Sequence, residues 1–309
     1  MKIKTPSRLH FGIIDLSREF KRKYGAFGVT LKNGYEIEIE TVEEGIHVKG
    51  SEREKKIAEK VFEKLKTGFD ITHGFEIKVE KSIPDHVGLG STTQFTLGTG
   101  YGILRSIGKD IPIVKLAKIL GRGRYSAIGT HGFEKGGFIL EGGKSSKDEI
   151  SPLLKRIEIP KNWRFLIVYP KKRKGYDEQE EKPIMEELTV DKKYAEMICH
   201  NILMGILPAM EKNDISAFGD HLTRIQELVG RSFSDYQEGI YHPAISELVH
   251  SLIEKTHGGG QSSWGPTAYG LVKKDEIDSI KDDILEGRDE KDYRFWIGEP
   301  DNTGAVIKE

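Results

Sequence analysis

Arg8 and His10, in TPSRLHFGIID near the start of the chain, stand two residues apart and on a strand would share one face. A guanidinium there presents a planar fork that matches a carboxylate or a phosphate. Paired instead with a surface acid, it would contribute at most about 1 kcal/mol. His10 reads equally as a hydrogen-bonded core residue or as a substrate contact. Asp15, later on the same stretch, could orient Arg8, hold a metal through water, or simply shape a turn. A second stretch, HVGLGSTTQ over residues 86–94, sets glycines and hydroxyls just ahead of a helical pattern. Gly88 and Gly90 permit positive φ and let a ligand reach the backbone. The open N–H groups of the helix's first turn then point at an anion. Ser91 and Thr92 add hydroxyls, for the anion or for a metal bound to it. The competing reading is a tight strand-to-helix turn with Ser91 as N-cap. No Lys follows the last glycine, so this is neither a Walker loop nor GxGxxG.

Two more tracts carry candidates. GRGRYSAIGTHGFEKGG, residues 121–137, places Arg122 and Arg124 around a glycine, for a phosphate or as a solvated face, and then gathers Thr130, His131, Glu134 and Lys135. Glu134 is the candidate metal ligand. GGGQSSWGPTAYGLV, residues 258–272, offers Ser262, Ser263 and Gly265 as a far wall, with Trp264 either stacking on a ring or packing a domain interface. Lys171, Lys172, Arg173 and Lys174 form a basic run that is either solvated or a mobile lid over phosphates.

These residues need a scaffold. Residues 1–4 and 9–14 read as strands, and GYEIEIETVEEGIHVKG alternates as a hairpin turning at Glu44-Gly45. Ile57, Val61 and Leu65 make one helical stripe. GFEIKVEKSIP is a strand that runs into the glycine loop, and TTQFTLGTGYGILRSIG a helix. Its Gly98, Gly100 and Gly102 each cost roughly 1 kcal/mol of helix propensity, which close packing would explain. The tract 121–143 reads as a glycine-rich loop. WRFLIVYP opens a second unit after a linker near 144–160, followed by helical patterns at 192–211, 214–230 and 243–256, then strand, helix and strand. The expected division is 1–160 and 161–309.

Bulk properties narrow the function. The 48 basic and 49 acidic residues nearly cancel, so no global field draws the chain to nucleic acid or membrane, and an anion site must be local. Cys199, the single cysteine, excludes an internal disulfide; its apolar helical setting suggests a buried thiol. No apolar run is long enough to span a membrane, and the start lacks a signal-peptide core, so a cytoplasmic location is expected.

The segments containing Arg8, the glycine loop and Trp264, in that order, resemble the GHMP kinase superfamily. That resemblance implies an α+β fold of two domains: an N-terminal mixed α/β domain with a strand–glycine loop–helix phosphate site, and a C-terminal ferredoxin-like domain. In superfamily kinases that carry a catalytic Asp, it often lies in a segment like SGxDN…GG. Matching Ser126 and Gly136-Gly137 to its ends puts Gly129 where that Asp would stand, and glycine cannot accept a proton. PSRLHFGIID, HVGLGSTTQ and GRGRYSAIGTHGFEKGGF together resemble the archaeal β-ribofuranosylaminobenzene 5′-phosphate synthases of methanopterin biosynthesis. That resemblance implies a glycosyltransferase joining phosphoribosyl pyrophosphate to 4-aminobenzoate or 4-hydroxybenzoate, with release of pyrophosphate and carbon dioxide.

In that reading Arg8, His10, His131 and Glu134 are the catalytic candidates. Ser7, Asp15, His86, Gly88, Gly90, Ser91, Thr92, Gln94, Arg122, Arg124, Thr130, Lys135, Ser262, Ser263, Trp264 and Gly265 are the substrate contacts. His86 would donate to a phosphoryl oxygen or merely rigidify its loop; Gln94 would read the acceptor's polar substituent or cap the helix. His131 and Lys135 would meet the leaving group or the acceptor's carboxylate. Mg²⁺ or another divalent cation is the expected cofactor, and a homodimer the expected assembly. An ATP-dependent kinase and a non-catalytic ligand-binding relative are the alternatives.

Overall fold

In the computed structural model, which describes residues 1–173, 175–176, 178–285, 288–289 and 291–308, the chain opens with β1 (Lys2–Lys4), β2 (Ser7–Asp15), β3 (Tyr24–Leu31), β4 (Glu36–Val42) and β5 (Ile46–Lys49). Then come α1 (Glu52–Phe69), β6 (Gly74–Lys81), α2 (Ser91–Ser106), α3 (Ile113–Leu120), α4 (Ile128–Lys135), β7 (Phe138–Glu141) and β8 (Leu153–Ile157). The second half holds β9 (Trp163–Pro170), α5 (Glu178–Glu187), α6 (Lys192–Asn201), α7 (Leu207–Lys212), α8 (Ile215–Gln237) and α9 (Ser246–Lys255). It ends with β10 (Gly259–Gln261), β11 (Ala268–Lys273), α10 (Ile277–Leu285), β12 (Tyr293–Gly298) and β13 (Val306–Lys308). One π-helical turn, Ile202–Ile206, joins α6 to α7.

Three sheets result, in the orders β13-β1-β4-β6-β5, β2-β3-β7-β8 and β10-β11-β9-β12. The third, with helices between β9 and β10 and α10 between β11 and β12, is the split β-α-β-β-α-β arrangement of a ferredoxin-like unit. All eight residues of β9 are buried, as a continuous apolar run demands of a central strand.

Alternation identified β4 and β5 as strands but not their partners. The expected hairpin at Glu44-Gly45 does not form: β6 inserts between them, antiparallel to β4 and parallel to β5. A period of two states which face is buried and leaves the neighbour open. β13 pairs with β1 and so returns the chain's end to the first sheet. The 121–143 tract is not all loop, since α4 lies within it. Cys199 is exposed, because Ala195, Ile198 and Ile202 take the buried stripe of that helix.

The glycines of α2 have a packing role. A Cβ on Gly102 would stand 2.4 Å from Cδ1 of both Ile3 and Ile39, and one on Gly100 2.6 Å from Leu120 Cδ1. The helix therefore lies directly on the first sheet and on α3, which fixes where its N-terminus points. Gly102→Ala forces methyl groups apart in a close-packed core, so a loss of about 1–3 kcal/mol is expected in urea unfolding.

Candidate active site

A cavity of about 210 Å³ opens where β2, the α2 N-terminus, the 121–126 segment, α8 and the 261–265 loop meet. Its lining divides by element. The glycine loop, α2 and the 121–126 segment supply His86, Gly88, Gly90, Ser91, Thr92, Thr93, Arg122 and Arg124, with Arg8 beside them on β2. The farther part of β2, α8 and the 264 region supply Phe11, Ile13, Val229, Phe233, Trp264 and Tyr176. Among the described lining residues the one carboxylate is Glu181, from α5.

The glycine loop is held from both sides. Arg8 Nη1 donates to the Gly88 carbonyl at 2.8 Å, Ser262 Oγ donates to the same oxygen at 2.6 Å, and the Arg8 amide donates to Leu89 O at 3.1 Å. A Cβ at Gly88 would meet Ser262 O at 2.2 Å, and one at Gly90 would meet Arg8 Cγ at 2.9 Å. These glycines thus admit protein partners, besides leaving the loop open to a ligand. Gly90, not Ser91, is the N-cap of α2, in the left-handed conformation and without a side-chain cap. The first-turn amides are therefore uncapped by any side chain, in the geometry of an anion site.

Around that corner the hydroxyls are pre-oriented. Thr92 Oγ1 accepts from Arg53, which also pairs with Asp85, and Thr93 Oγ1 accepts from Arg122 Nη2 at 3.1 Å. Burial, with Arg122 nearby, lowers the Arg8 pKa to about 10 while Glu181 raises it, so the guanidinium stays charged at neutral pH. Burial, reinforced by Arg8, holds His10 down to about 3, so its imidazole is neutral. Its backbone amide donates to Ser262 Oγ at 3.0 Å and its carbonyl accepts from the Ser263 amide at 3.2 Å, which joins β2 to the C-terminal loop.

The sequence candidates separate into two groups. Arg8, His10, His86, Gly88, Gly90, Ser91, Thr92, Arg122, Arg124, Ser263, Trp264 and Gly265 all line the cavity. The others do not. Ser7 is fully buried beside Arg8 but off the lining. Asp15 accepts from the amide and hydroxyl of Ser17 and shapes a turn. Gln94 is fully buried and braces α2 against α4 through a 2.9 Å bond from Nε2 to Gly129 O. Ser262 is a buried staple behind the wall.

Thr130 and His131 are buried within α4, where His131 Nε2 donates to Ser151 O at 2.8 Å and burial lowers its pKa. Glu134 and Lys135 sit exposed at the end of α4, 3.6 Å apart and away from the cavity. The helix explains this second group. Once residues 128–135 coil, only Gly129 of them reaches the cavity, and a Cβ there would lie 3.0 Å from Thr93 Cγ2. Lys171, Lys172 and Arg173 are exposed and off the lining; Lys174 lies outside the described residues.

Among the described residues no group of three His, Cys, Asp or Glu side chains converges to hold a metal. A divalent-cation cage built by the protein alone, with Glu134 in it, does not fit this geometry. Nor is any described helix long and apolar enough to cross a membrane.

Sequence reasoning missed Arg53, Tyr176, Glu181, Gln226, Phe233, Gln237 and Gln261. Trp264 Nε1 donates to Glu181 Oε1 at 2.9 Å, and the Trp264 ring meets Phe233 edge-on at 4.6 Å. Gln261 links Gln226 and Gln237 through bonds of 2.8 and 3.1 Å. No local pattern marked these residues: Glu181 was one acid in a charged run, and the glutamines sit on ordinary helix and strand positions.

The buried imidazole gives a pH signature. His10 binds a proton in the unfolded chain below about 6.5 but in the folded protein only near 3. Between those values the unfolded state carries more protons, so stability falls as pH drops from 6.5 towards 3. Chemical denaturation of wild type and His10→Gln across that range should show a shallower acid slope in the variant.

Comparison with known proteins places this geometry. The GHMP kinases N terminal domain model matches residues 54–135, and the GHMP kinases C terminal model matches residues 206–287. A β-ribofuranosylphenol 5′-phosphate synthase from Methanothermobacter thermautotrophicus is 33% identical over 87% of this chain and 88% of its own. Another of that name, from Archaeoglobus fulgidus, is 31% identical over 100% of this chain and 99% of its own. The solved mevalonate kinase of Methanococcus jannaschii superposes with a TM-score of 0.71 at 19% identity, covering 98% of each chain. At that identity the likeness speaks for the fold alone.

Proposed function

This chain belongs to the GHMP kinase superfamily, in the family of the β-ribofuranosylphenol 5′-phosphate synthases, and from that premise we propose that it is a pentosyltransferase. It condenses 5-phosphoribosyl 1-pyrophosphate with 4-hydroxybenzoate or 4-aminobenzoate, a step of methanopterin biosynthesis. The observation that carries this reading is the divided lining, cationic and glycine-rich on one side and aromatic on the other, with Gly129 at the wall.

Arg8, Arg122, Arg124 and the α2 amides hold the donor's phosphates and meet the charge that builds on the departing pyrophosphate. Phe11, Phe233 and Trp264 receive the planar acceptor. The bond from ribose C1 to the pyrophosphate oxygen breaks, and the ring carbon bearing the carboxylate forms the new bond to C1 from the opposite face. An α donor thereby gives a β product. The bond to the carboxylate then breaks as carbon dioxide leaves, and its electron pair restores the aromatic ring. No ring proton has to be removed, so a glycine at 129 costs the reaction nothing. Neutral His10 accepts or donates a hydrogen bond without adding charge. A divalent cation would arrive bound to the donor's pyrophosphate rather than to a cage of side chains, which the described residues do not form. A homodimer is part of the proposal, and sedimentation analysis checks it.

The assay is direct. The purified protein with Mg²⁺, phosphoribosyl pyrophosphate and either acid should release pyrophosphate and carbon dioxide in equal amounts. Release with neither acid, together with ATP turnover on a small alcohol, would move the assignment to a kinase. Arg8→Lys keeps the charge and loses the fork. It should lower kcat/KM about 100-fold, or about 2.7 kcal/mol, and lower the melting temperature as well where the bond to Gly88 O is lost.

A further inference from the structure

The wall segment that carries Arg122, Arg124 and Ser126 into the cavity has no regular structure of its own. It leaves α3 where the Arg122 amide donates to Ala117 O at 2.7 Å, and it ends at Ala127, the N-cap of α4. Two ionisable side chains, one ending β7 and one just after it, reach it from behind. Lys144 Nζ donates to Arg124 O at 2.9 Å and to Lys147 O at 3.1 Å. Glu141 Oε2 accepts from the Ala127 amide at 2.7 Å. Both are buried, Glu141 completely and Lys144 at 7% exposure, and neither lines the cavity. Buried Glu and Lys are costly, and apolar residues would pack the same space more cheaply. Lys144 is itself fixed, its backbone paired with Lys23 in both directions.

We propose that Glu141 and Lys144 are a positioning pair: they grip the two ends of the Arg124–Ala127 stretch and so aim Arg124 and Ser126 at the bound anion. The inference rests on the reading of the cavity as a site for the donor's phosphates. The arrangement matches the outer supports of catalytic groups, which act by holding rather than by touching substrate. Glu141 faces Lys144 from its own segment, Ser126 from the wall and Ser151 from the turn beyond. Around them stand Arg124, whose charge bears on Lys144, and His131 of α4, bonded to Ser151 O. Burial raises the Glu141 carboxyl to about 8, so it is mostly protonated at neutral pH and Gln is a close mimic.

Calorimetric titration of the full chain with inorganic pyrophosphate tests this without turnover. Glu141→Ala should weaken binding about tenfold or more, and Glu141→Gln should remain within about threefold of wild type. Lys144→Met should weaken binding as well, and it carries the test if Glu141→Ala does not fold. Ionisation of Glu141 above pH 8 places a negative charge behind the anion. The affinity of Glu141→Gln relative to wild type should therefore rise from pH 7 to pH 9. Wild-type affinity in both Glu141→Ala and Lys144→Met, or failure of Gln to restore it, overturns the inference. A merely structural role would lower the melting temperature and leave the pyrophosphate affinity of the folded protein unchanged. If wild type itself does not bind pyrophosphate, the functional reading falls first and this inference with it.

Discussion

A single carbonyl oxygen organises this molecule. Gly88 O accepts from the Arg8 guanidinium on β2 and from the Ser262 hydroxyl of the C-terminal unit, at 2.8 and 2.6 Å. Both donors reach it because residue 88 has no side chain, and a Cβ there would sit 2.2 Å from Ser262 O. The contact sets the strand, the glycine loop and the far wall at fixed distances. The α2 N-terminus, seated on the first sheet through Gly100 and Gly102, inherits its aim from the same packing.

Charge in the cavity follows from that closeness. Burial strips Arg8 of water and the Arg122 charge bears on it, yet Arg8 keeps its proton with Glu181 in the same cavity. An anion entering the cavity would offset the cost of this arrangement. His10 stays neutral beside Arg8 for the same electrostatic reason. Trp264 bridges the two kinds of lining, with its indole N–H on Glu181 and its ring against Phe233. The superfamily's fold is kept, and the glycine at 129 offers no base to an acceptor hydroxyl. A fold hosts a reaction only through such particulars.

Much of the site was legible in the sequence because its local geometry is local in chain. A strand, two glycines at positive φ and a helix start follow one another within residues 74–106, so this corner is local in sequence although Arg8 and Ser262 hold it in place. Arg8 and His10 share a strand face by period alone. Four of the candidates off the lining share one reason: residues 128–135 coil into α4, which turns Thr130, His131, Glu134 and Lys135 away. A glycine-rich run did not reveal that coil, because helix there is stabilised by packing that overrides propensity.

The amino-acid sequence by itself determined the strand and helix periods, the glycine-rich strand-to-helix corner, the glycine at 129 and the near-zero net charge, none of which needs contacts between distant elements. Tertiary structure alone decided which strands pair, since alternation specifies a face and not a partner. It also decided that β13 closes onto β1 and that Glu181, Phe233 and Arg53 join residues more than thirty positions away. Such contacts depend on how buried area is shared among distant elements, and no short window of sequence carries that information.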